Sequence, residues 1–230
     1  MPGNKKKLSL LDILLSLPTD PSGMMRHLLL ERRNPPHTLT ALIATLLFLV
    51  GPSLYYRHSL GIEMAQPEVE PSLWCAAAVT LLSFILFTTV LLRLLAFPVS
   101  VTRVMAATFY SLAGLIPFMV ALYLTSFLAT GSLTILDYLS TGHYREGDWL
   151  VKSFPTWTKV GAAFVLYLFT NAIRALGNTK TISAVAIVIF TIPIMIGAFM
   201  VGLTVANAIF PDTGIVDYRF FLSFISPERS

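Results

Sequence analysis

Residues 182–208 read ISAVAIVIFTIPIMIGAFMVGLTVANA, without one charged side chain. At 1.5 Å per residue a helix over this stretch is about 40 Å long, more than the roughly 30 Å of a bilayer's hydrocarbon core. Apolar all round, it has no polar face to offer water, but in lipid it is a span long enough to tilt. Four further runs of this kind occupy residues 38–56, 73–97, 104–128 and 160–176, separated by breaks containing polar residues, Pro or Gly. The fourth is the shortest; started at Thr156 it includes Trp157, placed as an interfacial anchor. The expected fold class is all-α, a polytopic transmembrane bundle of five helices with a short amphipathic N-terminal segment. Three regions follow: a basic, amphipathic segment over 1–37, the five-helix domain over 38–208, and a polar tail over 209–230.

Composition agrees. The 230 residues are 55% hydrophobic and 12% charged, against roughly 25% charged in an ordinary soluble domain, and mean hydropathy is +0.74. A soluble globular protein is excluded. The formal charge of +4 is spread too thinly for a phosphate-tracking stripe, so nucleic acid is not an expected partner. Cys75, the single cysteine, allows neither an internal disulfide nor a thiolate ligand set.

The breaks define the topology. Residues 98–100, flanked by Arg93 and Arg103, and residues 174–180 are so short that each must be a tight antiparallel hairpin, whereas the connections over 57–72 and 129–155 are longer and more acidic. A cleaved signal peptide is the competing reading of the first run, but 37 residues precede it and no small-x-small site follows Gly51-Pro52. With the N-terminus on side one and five crossings, side one carries ten Lys and Arg and three acids, net +7; side two carries six and nine, net −3. The positive-inside rule then places the N-terminus in the cytoplasm and the C-terminus outside.

After Lys5-Lys6-Lys7, the stretch LSLLDILLSLP over residues 8–18 is too short to span and has Ser9, Asp12 and Ser16 near helical spacing. It reads as an interfacial helix, assisted by lysines worth about 1 kcal/mol each near an anionic surface. Met24 to Arg33 forms a second short leucine-containing stretch, ended by Asn34-Pro35-Pro36. The segment serves anchoring and topogenesis, or it docks a cytoplasmic partner.

Ionisable groups at membrane depth mark ion or proton pathways, and no Asp, Glu, Lys or His lies inside the five runs. Arg93 is the one charge within a span, close enough to its end to snorkel. Asn171 and Asn207 are expected to bond neighbouring helices, and Arg174 closes span four. Gly114 and Pro117 interrupt span three and Pro193 interrupts span five; they are packing kinks or, as paired broken helices, the frame of a transport site. Ala198 and Gly202 fit a small-x-x-x-small contact.

No base, nucleophile and orienter come together in the sequence. His58, Glu63 and His143 could be imagined as an outward metal cluster, but their spacing matches no known ligand set. No catalytic residue, metal or cofactor is expected.

The pattern resembles the Yip family of Ypt/Rab-interacting-type five-span membrane proteins. The likeness rests on Phe109-Tyr110-Ser111-Leu112-Ala113-Gly114-Leu115-Ile116-Pro117 in span three and on Trp157 through Ala175-Leu176-Gly177-Asn178-Thr179-Lys180 leading into span five, and covers about residues 22–208. The Asp-Leu-Tyr-Gly-Pro stretch of eukaryotic trafficking members is missing before the first span, which weakens the implication of a small-GTPase partner and turns the likeness toward the bacterial branch and an inner membrane. What the resemblance implies is a non-enzymatic scaffold or accessory subunit in membrane organisation, trafficking or export, with lipid and a membrane-protein partner or a second copy around it. The residues that could carry such a role are Arg93, Gly114, Pro117, Asn171, Arg174 and Pro193; the alternative is a small permease or transport-complex subunit.

Overall fold

The computed structural model describes residues 9–30, 37–49, 69–130 and 149–211. Among them the regular elements are helices: α1 (Leu10–Thr19), α2 (Pro21–Leu29), α3 (Thr38–Leu49), α4 (Val69–Leu94), α5 (Val101–Ala113), α6 (Leu115–Thr130), α7 (Trp149–Gly177) and α8 (Thr181–Ile209). Among the described residues four stretches are long and apolar enough to cross a membrane: Trp74–Leu94, Val101–Ala129 across α5 and α6, Lys159–Gly177, and Thr181–Ile209. They coincide with the second to fifth predicted spans. Of the first, 38–56, only α3 is described; its 12 residues cover about 18 Å, and the rest lies outside the described residues. Leu94, Leu128 and Ile182 are about four-fifths exposed, at 79%, 82% and 83%. Such outward apolar side chains would be a liability in water and suit contact with lipid, so the chain reads as a multi-pass integral membrane protein.

The helices form two compact units, Met1–Glu63 with Phe97–Val188, and Met64–Ala96 with Ile189–Ser230. In the first unit α5 is central: α3 runs along α5 and on to α6, α7 packs on both, α2 lies along α7 and touches α5, and α1 touches α2 and α6. Small side chains explain why α5 can be surrounded. Ala106, Ala107, Ser111 and Ala113 are buried around the fully enclosed Tyr110, and small residues let neighbouring backbones approach.

The break between α5 and α6 follows from Pro117. A proline has no N–H and clashes with the carbonyl four residues earlier, here that of Ala113, the last residue of α5. Gly114 absorbs the irregularity while keeping a near-helical backbone, and its N–H still reaches the Tyr110 carbonyl at 3.1 Å. Pro193 behaves differently. The expected interruption of span five does not occur, because α8 runs unbroken from Thr181 to Ile209 with Pro193 inside it. One missing bond in a 29-residue helix is tolerated when the remaining ladder and the packing hold the helix together.

In the second unit Ala198, Gly202 and Ala206, spaced by four, are buried. A Cβ built on Gly202 would collide with the Thr80 hydroxyl and stand 2.5 Å from the Ala76 carbonyl oxygen, so α8 and α4 meet backbone to backbone there. Leu203, Ala206 and Ala76 close the contact with Cys75 and Phe199.

The connection expected over 129–155 is shorter at its far end, since α7 begins at Trp149, ten residues before its apolar stretch. Trp157 is in this extension's last turns, its indole N–H donating to the Ser153 hydroxyl at 3.1 Å and its ring 6.0 Å from that of Phe118.

Candidate functional site

Among the described residues, the N-terminal helices hold one group of the first unit's polar side chains. Ser9 and Asp12 form a capping box at the start of α1, each side chain accepting the other's backbone N–H at 3.1 and 3.0 Å. Asp20 then caps α2, accepting from the Gly23 N–H at 2.9 Å, with Pro21 at the first helical position, where its missing N–H costs nothing. Each helix has one buried and one exposed face. Ile13 and Leu17 on α1 and Met25, Leu28 and Leu29 on α2 are completely buried, while Leu11 and Leu15 on α1 stay exposed.

A side-chain bond ties the pair to α7. Ser22 donates its hydroxyl to Asn171 Oδ1 at 2.5 Å, and the Asn171 amide donates to the Tyr167 carbonyl at 2.9 Å. Asn171 thus bonds a neighbouring helix, as expected, although that neighbour is the N-terminal α2. The hydroxyls of Thr108 and Ser111 on α5 turn back onto the carbonyls of Val104 and Ala107 at 2.9 and 2.7 Å. This is how a span satisfies hydroxyls where no water competes.

Gly114 and Pro117 lie on the facing side of the same unit. A Cβ on Gly114 would run into the Leu168 side chain and stand 3.5 Å from the Phe164 ring. On the next turns, a Cβ on Gly161 would stand 3.3 Å from the Phe118 ring. The helix break therefore sits against α7 as a packed joint.

Both connections are short turns. The α7–α8 turn is a Schellman closure: Asn178 takes the left-handed conformation at φ 47° and the Thr179 N–H reaches back to the Arg174 carbonyl at 3.3 Å. Before α5, Ser100 caps the helix by accepting from the Arg103 N–H at 3.3 Å. The turns touch, since a Cβ on Gly177 would stand 3.1 Å from the Phe97 ring. Arg174 Nε and the Thr179 hydroxyl are buried there without a hydrogen-bond partner.

Of the residues singled out from sequence, Gly114, Pro117, Asn171 and Arg174 fall in the first unit and Arg93 and Pro193 in the second. Arg93 is exposed in the last turn of α4. His58, Glu63, His143 and nearly all of the tail lie outside the described residues. Ser22, Asp20 and Thr179 were not foreseen. The available signal was Asp20-Pro21, a cap followed by proline at N1, which starts α2 three residues before Met24. Comparison with protein-family models, with curated proteins and with solved structures finds no match for the chain.

Proposed function

We propose that the chain is a non-enzymatic scaffold or accessory subunit of the Yip type, crossing a bacterial inner membrane five times with its N-terminus in the cytoplasm. It organises a membrane-protein partner, or copies of itself, in membrane organisation, trafficking or export. The observation that carries the reading is the N-terminal helix pair, held to the bundle through Ser22 and Asn171 and still presenting Leu11 and Leu15 outward. A scaffold needs such an element, positioned by the membrane domain and left with an apolar edge for something else. The hydroxyls of Thr108 and Ser111 and the Asn171 amide are meanwhile engaged by their own helices, which suits structure better than turnover. Recovery of a defined partner in gentle detergent, and its loss on deleting residues 4–17, is the expected result. A lone monomer from both versions counts against it.

The second reading, a permease or transport-complex subunit, draws on the break at Gly114 in span three. It loses its counterpart because α8 passes Pro193 without interruption, and paired broken helices are what frame such sites. Replacement of Pro117 by Ala with an unchanged measured flux would remove it.

A further inference from the structure

We propose that the α7–α8 turn binds a phosphate group, that of an anionic phospholipid headgroup at the membrane surface. The carrying observation is a pair of buried polar groups without partners, Arg174 Nε and the Thr179 hydroxyl, held in one turn by the bond from the Thr179 N–H to the Arg174 carbonyl. Buried donors are almost always satisfied, and one that is not calls for an explanation, of which a bound ion is one. Two in one turn, one on a permanently charged guanidinium, call for an anion with several acceptor oxygens. Phosphate matches the guanidinium fork, which offers parallel N–H groups.

The surroundings have the same sign. Lys180 follows directly and is exposed. The approach of Phe97 to Gly177 sets the Ser100 turn beside this one, and Arg103 stands one helical turn further along α5. Among the described residues from 97 to 103 and 174 to 180 there is no acid to compete. Depth selects the source of the phosphate. The turn joins the ends of two apolar stretches, Lys159–Gly177 and Thr181–Ile209, so it lies where headgroups lie, and cations there gain from an anionic surface. The inference needs these two spans and not the scaffold reading.

The test uses the full chain in nanodiscs of phosphatidylcholine, with and without added phosphatidylglycerol, following lipid retention by native mass spectrometry and the unfolding midpoint. Phosphatidylglycerol is expected to be retained and to raise the midpoint. Arg174→Gln and Thr179→Val should each weaken retention about tenfold, the loss of one hydrogen bond to a charged group. Lys159→Gln, at the other end of the same span, should leave it unchanged. Inorganic phosphate added to phosphatidylcholine discs separates the sources: no shift leaves the headgroup as ligand, while a shift abolished by the same two variants keeps the site and assigns it a soluble phosphate. Should Arg174→Gln fail to fold, Thr179→Val, which removes only a hydroxyl, decides. Retention unaffected by either variant, or weakened equally by Lys159→Gln, overturns the proposal.

Discussion

Ser22 and Asn171, 149 positions apart in sequence, share a 2.5 Å hydrogen bond that fastens the N-terminal helix pair to α7. The amide nitrogen of Asn171 is already committed to Tyr167, so its oxygen is the free end, and the serine hydroxyl supplies the proton. A neutral bond of this kind between helices is worth about 0.6 to 1.5 kcal/mol. Ser22→Ala should lower the unfolding free energy by about 1 kcal/mol and speed proteolysis within residues 9–30. A double-mutant cycle with Asn171→Ala should show coupling above about 0.5 kcal/mol; additive effects would show that the bond does not hold the segment.

Gly202 and Gly197 make opposite demands on the same helix. A Cβ at Gly202 meets Thr80 and the Ala76 backbone, whereas one at Gly197 meets nothing within 4 Å. Gly202→Ala should destabilise by about 1–3 kcal/mol through overpacking. Gly197→Ala should stabilise by up to about 1 kcal/mol through helix propensity. Unfolding in detergent or lipid, compared for the two variants, checks the sign of each.

The four long spans and the two short turns were legible because a run of some 20 apolar residues has one stable home. The docking of α1 and α2 was not. Ile13, Leu17, Met25, Leu28 and Leu29 form apolar faces that fit a lipid surface or a helix bundle equally well, and when the solvent is itself apolar, hydropathy no longer distinguishes buried from solvated. Proline was read too simply for a related reason. Pro117 and Pro193 both forfeit one bond, but only the first has a glycine three residues before it, where the chain can change direction. The orphaned groups at Arg174 and Thr179 depend on how two turns meet, which no single stretch encodes.

Ala96 occupies the left-handed region at φ 64°, where a Cβ crowds the backbone and costs about 1–2 kcal/mol. It is exposed, so a replacement loses little packing. Ala96→Gly should raise the unfolding free energy by about 1 kcal/mol. Ala162→Gly, at an exposed position within α7, should lower it by about the same amount. Equal signs for the two changes would show that the turn conformation is not what decides the effect.

The number of crossings fixes which face carries the two tight hairpins. If the run over 38–56 crosses, the ends of the chain lie on opposite faces, and the hairpins join the ten basic residues that the positive-inside rule assigns to the cytoplasm. If only the four stretches from Trp74 to Ile209 cross, both ends share one face with twelve basic residues, and the hairpins, with Arg93, Arg103, Arg174 and Lys180, are left on the other. The same rule then turns the molecule over, because twelve outweighs four. Two labels distinguish these arrangements. With Cys75 replaced by Ser, a cysteine at the exposed Asn178 should be shielded from a membrane-impermeant thiol reagent in intact cells and react once the membrane is opened. A reporter after Ser230 should be active outside. Labelling of Asn178→Cys in intact cells together with a cytoplasmic C-terminus would establish four crossings and invert the orientation.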